Sequence, residues 1–73
     1  SINNNKTYIM IRVIQSNIGT YKFENAMLDI NGNDLVDGVD VYLDDDHIGE
    51  LIGHFDLEDC DGDKLVEMGQ NLL

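Results

Sequence analysis

Tyr21-Lys22-Phe23-Glu24-Asn25-Ala26-Met27-Leu28-Asp29-Ile30-Asn31-Gly32 reads two ways, and the choice between them sets the fold. Tyr21 and Phe23 alternate with Lys22 and Glu24, as in a strand with one covered face. Phe23, Ala26, Met27 and Ile30 also follow the i, i+3, i+4, i+7 spacing of a helix, which Thr20 would cap. Asn31-Gly32 tips the balance. Both residues tolerate positive φ, and with apolar stretches on either side the pair is a strong hairpin signal. The segment is therefore predicted to be a strand, with room for a bulge near Asn25.

Beyond that turn, Val39, Val41 and Leu43 alternate with Asp40, Tyr42 and Asp44, the cleanest half-buried strand in the chain. Asp44-Asp45-Asp46-His47 reads as a charged turn. Ile48 to Phe55 reads as a weaker strand interrupted by Gly49 and Gly53, where glycine marks a bulge or a close backbone approach. Upstream, Ile9, Ile11 and Val13 share one face of a Thr7–Gln15 strand, and Met10 and Ile14 keep the other partly apolar. That pattern predicts a central strand covered on both sides, followed by turn residues Ser16-Asn17-Ile18-Gly19. Near the end, Asp61-Gly62-Asp63 precedes Leu65, Met68, Gly69 and Leu72 on one helical face, with the acids where capping and the helix dipole favour them. The expected architecture is α+β: a four-stranded antiparallel sheet packed with a short C-terminal helix, ββββα. Residues 1–73 are expected to form one small acidic domain with a frayed polar start at Ser1–Lys6.

The 73 residues hold 15 Asp and Glu against 4 Lys and Arg, a formal net charge of −11, yet 42% are hydrophobic. The hydrophobic share is that of a folded domain rather than a disordered chain. Single Cys60 precludes an intramolecular disulfide and suits a reducing cytoplasm. No apolar run approaches the roughly 20 residues of a membrane span, and no signal peptide is expected. A core this small stabilises weakly, which makes homodimerisation through a strand edge or an apolar patch an open option.

Charge is unevenly placed. Lys6, Arg12 and Lys22 precede every acid, so residues 1–23 carry +3, whereas residues 24–73 hold all 15 acids and only Lys64, leaving −14. Solubility needs a net charge of magnitude about 2–8 on a small domain, and self-repulsion beyond that opposes the compact state. The excess points to halophilic adaptation, cation binding or a cationic partner. Nucleic acids and anionic lipid surfaces would repel this chain, so direct nucleic-acid or membrane binding is not expected.

Asp29, Asn31 and Asn33 fall at positions 1, 3 and 5 of a calcium loop that ends at Asp40, with Leu35 supplying a carbonyl at 7. The stretch 29–40 resembles the loop of EF-hand and dockerin-type repeats, and the likeness implies a small calcium-binding module using Asp29, Asn31, Asn33, Asp37 and Asp40. Asp34 stands where that loop has glycine, Asp40 replaces the longer bidentate Glu, and the following residues alternate like a strand. Hairpin chemistry accounts for the same residues, and no cofactor is expected. Asp44, Asp45, Asp46 and His47 read as a solvated turn, because consecutive side chains diverge. Cys60, between Asp59 and Asp61, lacks the cationic surroundings that activate a thiol. No phosphate loop or nucleophile elbow appears, so an enzyme is not expected.

What remains is the collective field of Asp37, Asp40, Asp44, Asp45, Asp46, Glu50, Asp56, Glu58, Asp59, Asp61, Asp63 and Glu67. Acids at alternate positions of one strand face would lie roughly 6.6 Å apart, near the spacing of phosphates along a nucleic-acid strand. Arg and Lys pair with carboxylates much as with phosphates. These residues are the expected contact set for a basic nucleic-acid-binding protein, whose groove they would fill as a DNA mimic. In size and acidity the chain is similar to small phage-encoded anti-CRISPR and anti-restriction proteins, a likeness of composition that implies an inhibitor acting in the host cytoplasm on a partner such as a bacterial defence nuclease complex. A subunit or chaperone-like partner of another basic protein is a third reading.

Overall fold

A computed structural model describes residues 9–32 and 34–73. The order is β1 (Ile11–Ser16), β2 (Gly19–Asp29), β3 (Leu35–Leu43), β4 (Asp46–Ile52) and α1 (Gly62–Gln70). The four strands form one antiparallel meander in chain order. The ββββα reading of the sequence holds, and Tyr21–Asp29 is strand, not helix. Asp29 Oδ1 accepts from the Gly32 amide at 2.6 Å, and Gly32 takes φ +83° while Asn31 does not take a positive φ, so the chain turns here on Gly32.

Register explains the core. Tyr21, Phe23 and Asn25 pair with Leu43, Val41 and Val39, which places all six on the face that α1 covers. Tyr21, Phe23, Val39, Val41, Leu57 and Leu65 are all but inaccessible to water, and Ile14, Leu51, Met68 and Leu72 pack around them. Tyr21 stacks on Phe23 with ring centroids 5.9 Å apart. Gly69 lets α1 approach that stack: a Cβ built there would lie 2.7 Å from Tyr21 Cε1. Alanine gains up to about 1 kcal/mol of helix propensity over glycine, while overpacking a core costs typically 1–3 kcal/mol. Because the buried Tyr21 ring cannot swing aside, Gly69→Ala is expected to lose roughly 1–2 kcal/mol net, read from the urea midpoint. A midpoint at or above that of the parent protein would show the ring free to move.

Three sequence expectations need correction. The first strand is not central: β1 lies at the edge, paired only with β2. Ile11 and Val13 stay 50% and 57% exposed on the face opposite α1. Its apolar alternation is a property of the strand type, and the meander connection puts it outside. The Thr7 and Tyr8 part of that expectation lies outside the described residues. No bulge interrupts β2 near Asn25; pairing with β3 runs unbroken from Tyr21 to Asp29. The irregularity lies in β4, where Val41 pairs Gly49 and Tyr42 pairs His47, leaving Ile48 as the extra residue. Finally, β4 ends at Ile52, and Phe55 belongs to the connection to α1. Gly49 does mark a close approach, since a Cβ there would meet Leu72 Cδ2 at 3.1 Å. No helix among the described residues is long and apolar enough to cross a membrane.

Candidate acidic interface

Among the described residues, Arg12 and Lys22 form no ion pair with an acid. Arg12 projects to the helix-covered face and donates from Nη1 to the carbonyls of Leu57 and Cys60, at 2.7 and 2.8 Å. It holds down the 53–61 connection instead of pairing with a carboxylate, and Cys60 packs half-buried beside the core. Lys22 Nζ lies 4.4 Å above the centre of the Tyr42 ring, a cation–π contact. Among the described residues the close contacts between basic and acidic side chains are both histidine–aspartate: His47 Nε2 to Asp40 Oδ1 at 2.9 Å and His54 Nδ1 to Asp37 Oδ2 at 3.5 Å. Of the twelve acids predicted for binding, all are exposed except the half-buried Asp40.

They do not form one array. Asp37 and Asp40, three apart on β3, point to opposite faces, and no strand carries acids at alternate positions of one face. The expected 6.6 Å ladder along a strand is therefore absent from the described residues. A different row replaces it: Glu24, Asp40 and Glu50 are direct partners across β2, β3 and β4 on the open face. Adjacent strands lie about 4.8 Å apart, so this row is tighter than a phosphate ladder. Spacing along the chain leaves Glu24 out of the contact set, because only the register reveals its alignment. The Tyr42 phenol, on the neighbouring row, is held above its ordinary 10.0, first by partial desolvation and then by the negative charges of Asp40 and Glu24.

A second group lies at the β3–β4 turn. Asp44 and Asp45 are its two central residues, with φ of 49° and 72°, the left-handed pair of a type I′ hairpin. Asp46 and His47 already belong to β4. Asp44 also ties this turn to β2. Its Oδ1 accepts from the Thr20 amide at 2.9 Å, and its own amide donates to the Thr20 carbonyl at 2.9 Å. Asp44 is thus more than a solvated turn residue: exposed as expected, it also fastens the turn to β2. Asp44→Ala, which loses the acceptor and places alanine in the left-handed region, is expected to cost about 1–2 kcal/mol. Asp44→Asn keeps both and should melt within a degree or two of the parent; equal melting temperatures for the two variants would contradict the assignment.

The third group, Asp56, Glu58, Asp59, Asp61 and Asp63, runs along the connection into α1, on the helix-covered side. Asp61 caps α1 by accepting from the Asp63 amide at 2.9 Å. Glu67 is exposed on the helix itself. The chain matches no family model, no curated protein and no solved structure. Its surfaces are therefore the guide to its function.

The residues of the calcium-like stretch separate. Asp29 closes β2 and is committed to the Gly32 amide, Asp37 and Asp40 face opposite sides of β3, and Asn33 lies outside the described residues. Leu35 to Asp40 form strand, where a calcium loop would curl around its ion. A hollow of about 210 Å3 lies between the distal β2–β3 hairpin and the 53–55 segment, with Met27, Asp37, His54 and Phe55 on its walls.

Proposed function

We propose that this protein is a non-enzymatic inhibitor that occupies the basic groove of a nucleic-acid-binding protein by presenting carboxylates in place of phosphates. The observation that carries this reading is the exposed acidic surface, which among the described residues pairs with no Lys or Arg. Arg12 and Lys22 are engaged by carbonyl groups and an aromatic ring, while eleven of the twelve acids singled out stand exposed. Exposed acids that Arg12 and Lys22 leave unpaired retain long-range attraction for a cationic partner. The pairing is electrostatic and steric, and no bond is made or broken. The mimicry is one of charge density rather than of phosphate spacing, given the tight cross-strand row and the separate acidic groups. The partner class is a bacterial defence nuclease complex or a similar DNA- or RNA-binding protein, met in the host cytoplasm.

Competition tests this reading. The protein, immobilised at low salt, is used to retain basic proteins from a bacterial lysate, and a retained nucleic-acid-binding protein is then challenged with excess duplex DNA or RNA. Displacement, with affinity falling as salt rises, is the expected result. A ternary complex holding both nucleic acid and this protein would exclude groove blocking and point to an allosteric or assembly-blocking inhibitor.

A further inference from the structure

We infer that Asp40, His47 and Glu50 form a binding site for a first-row transition-metal ion of the zinc, nickel or copper class, on the face of the sheet that α1 leaves open. One donor atom from each of the three lies within 4.8 Å of the other two. The backbone fixes this meeting. Asp40 and Glu50 are direct partners on β3 and β4, and the extra residue Ile48 brings His47 opposite Tyr42, beside Asp40 on the same face. His47 is oriented by two contacts, its Nε2 on Asp40 Oδ1 at 2.9 Å and its ring edge-on to Tyr42 at 5.2 Å. Zinc bonds of about 2.0–2.2 Å place neighbouring tetrahedral donors roughly 3.4 Å apart. Rotation of partly exposed side chains is enough to close the remaining gap.

A separate feature points to a cation at this place. Glu24, Asp40 and Glu50 stand directly opposite one another across three strands, an arrangement that destabilises a sheet through like-charge repulsion. Lys22, on the adjacent row, is drawn over the Tyr42 ring instead of pairing with them. A divalent ion held by Asp40, His47 and Glu50 relieves that repulsion, and Glu24 or water completes its coordination. The imidazole nitrogen sets the class of metal: imidazole suits zinc, copper and nickel, whereas calcium and magnesium prefer oxygen ligands alone. On binding, Nε2 loses the proton it shares with Asp40, which moves to Nδ1 through solvent, and its freed lone pair and the Asp40 carboxylate then hold the same ion. The site is distinct from the calcium-like stretch, with which it shares only Asp40.

Calorimetric titration of the whole chain with zinc chloride, nickel chloride and calcium chloride tests this, alongside His47→Gln, Glu50→Gln and His54→Gln. The imidazole resonances of the protein are followed by NMR in the same samples. One saturable site is expected, with zinc shifting the His47 resonances and leaving those of His54 in place. His47→Gln should weaken zinc binding by at least about tenfold, since even second-layer partners of metal ligands are worth 10–100-fold. Glu50→Gln should weaken it less, and His54→Gln should leave it unchanged. Both His47 and Glu50 are exposed, so circular dichroism of their variants should match the parent. Absence of saturable binding at millimolar zinc overturns the proposal. So does undiminished affinity in His47→Gln, or a loss that follows His54, or binding of calcium as tight as that of zinc.

Discussion

Phe23→Ala is expected to leave this protein largely unfolded at room temperature. Phe23 is fully buried at the centre of the sheet, pairs with Val41 across β2 and β3, and stacks on Tyr21. Truncating a buried phenylalanine costs about 3–5 kcal/mol. A single core in a chain below roughly 70–80 residues seldom supplies more than about 3–5 kcal/mol in total, and no disulfide supplements it here. One substitution thus consumes most or all of the stability. Urea unfolding followed by far-ultraviolet circular dichroism should show no native baseline for Phe23→Ala. Val13→Ala, at a 57% exposed position on the β1 edge, should stay within about 0.5 kcal/mol of the parent. A cooperative Phe23→Ala transition near the parental midpoint would mean that the core is not where the register places it.

The second large effect is on binding. Asp45→Asn with Asp46→Lys, and separately Glu58→Lys with Asp59→Lys, should each slow association with the basic partner and flatten its salt dependence. These pairs leave out Asp44, which anchors Thr20, and Asp61, which caps α1. Asparagine at 45 tolerates the left-handed backbone that the turn requires there. A loss of binding therefore cannot be ascribed to a lost turn or cap. Electrostatic steering raises association rates by roughly 10–1,000-fold, so removing a main contributor should cost about tenfold or more in on-rate at low salt. Stopped-flow association across a salt series is the measurement. If both double variants remain folded and bind with parental rate and salt slope, the acids of the turn and of the α1 connection are not the contact surface. The same comparison with Glu24→Lys and Glu50→Lys then asks whether the open face carries the contact. Unchanged kinetics there too would end the groove-blocking mechanism.

Local chemistry is enough for the order and type of the elements. Asn31-Gly32 reads as a turn because both residue types tolerate positive φ, which Gly32 alone of the two adopts, and α1 starts where Asp61 can cap it. The faces of β2 and β3 follow from period 2, so Tyr21, Phe23, Val39 and Val41 stand out as one buried set. The calcium-like spacing misleads for a related reason. A series of oxygen donors along a chain says nothing about their direction, and in an extended strand Asp37 and Asp40 must point apart.

The ββββα succession, the charge asymmetry and the apolar faces are legible in the order of residues, because each depends on neighbours a few positions away. Strand pairing had to be known before β1 became an edge strand, before Arg12 met the Leu57 and Cys60 carbonyls, and before Glu24, Asp40 and Glu50 fell into line. Those facts depend on register between strands and on the single extra residue at Ile48, which shifts every later side chain of β4 against its partner. Sequence spacing runs along one strand, whereas the row of Glu24, Asp40 and Glu50 runs across three.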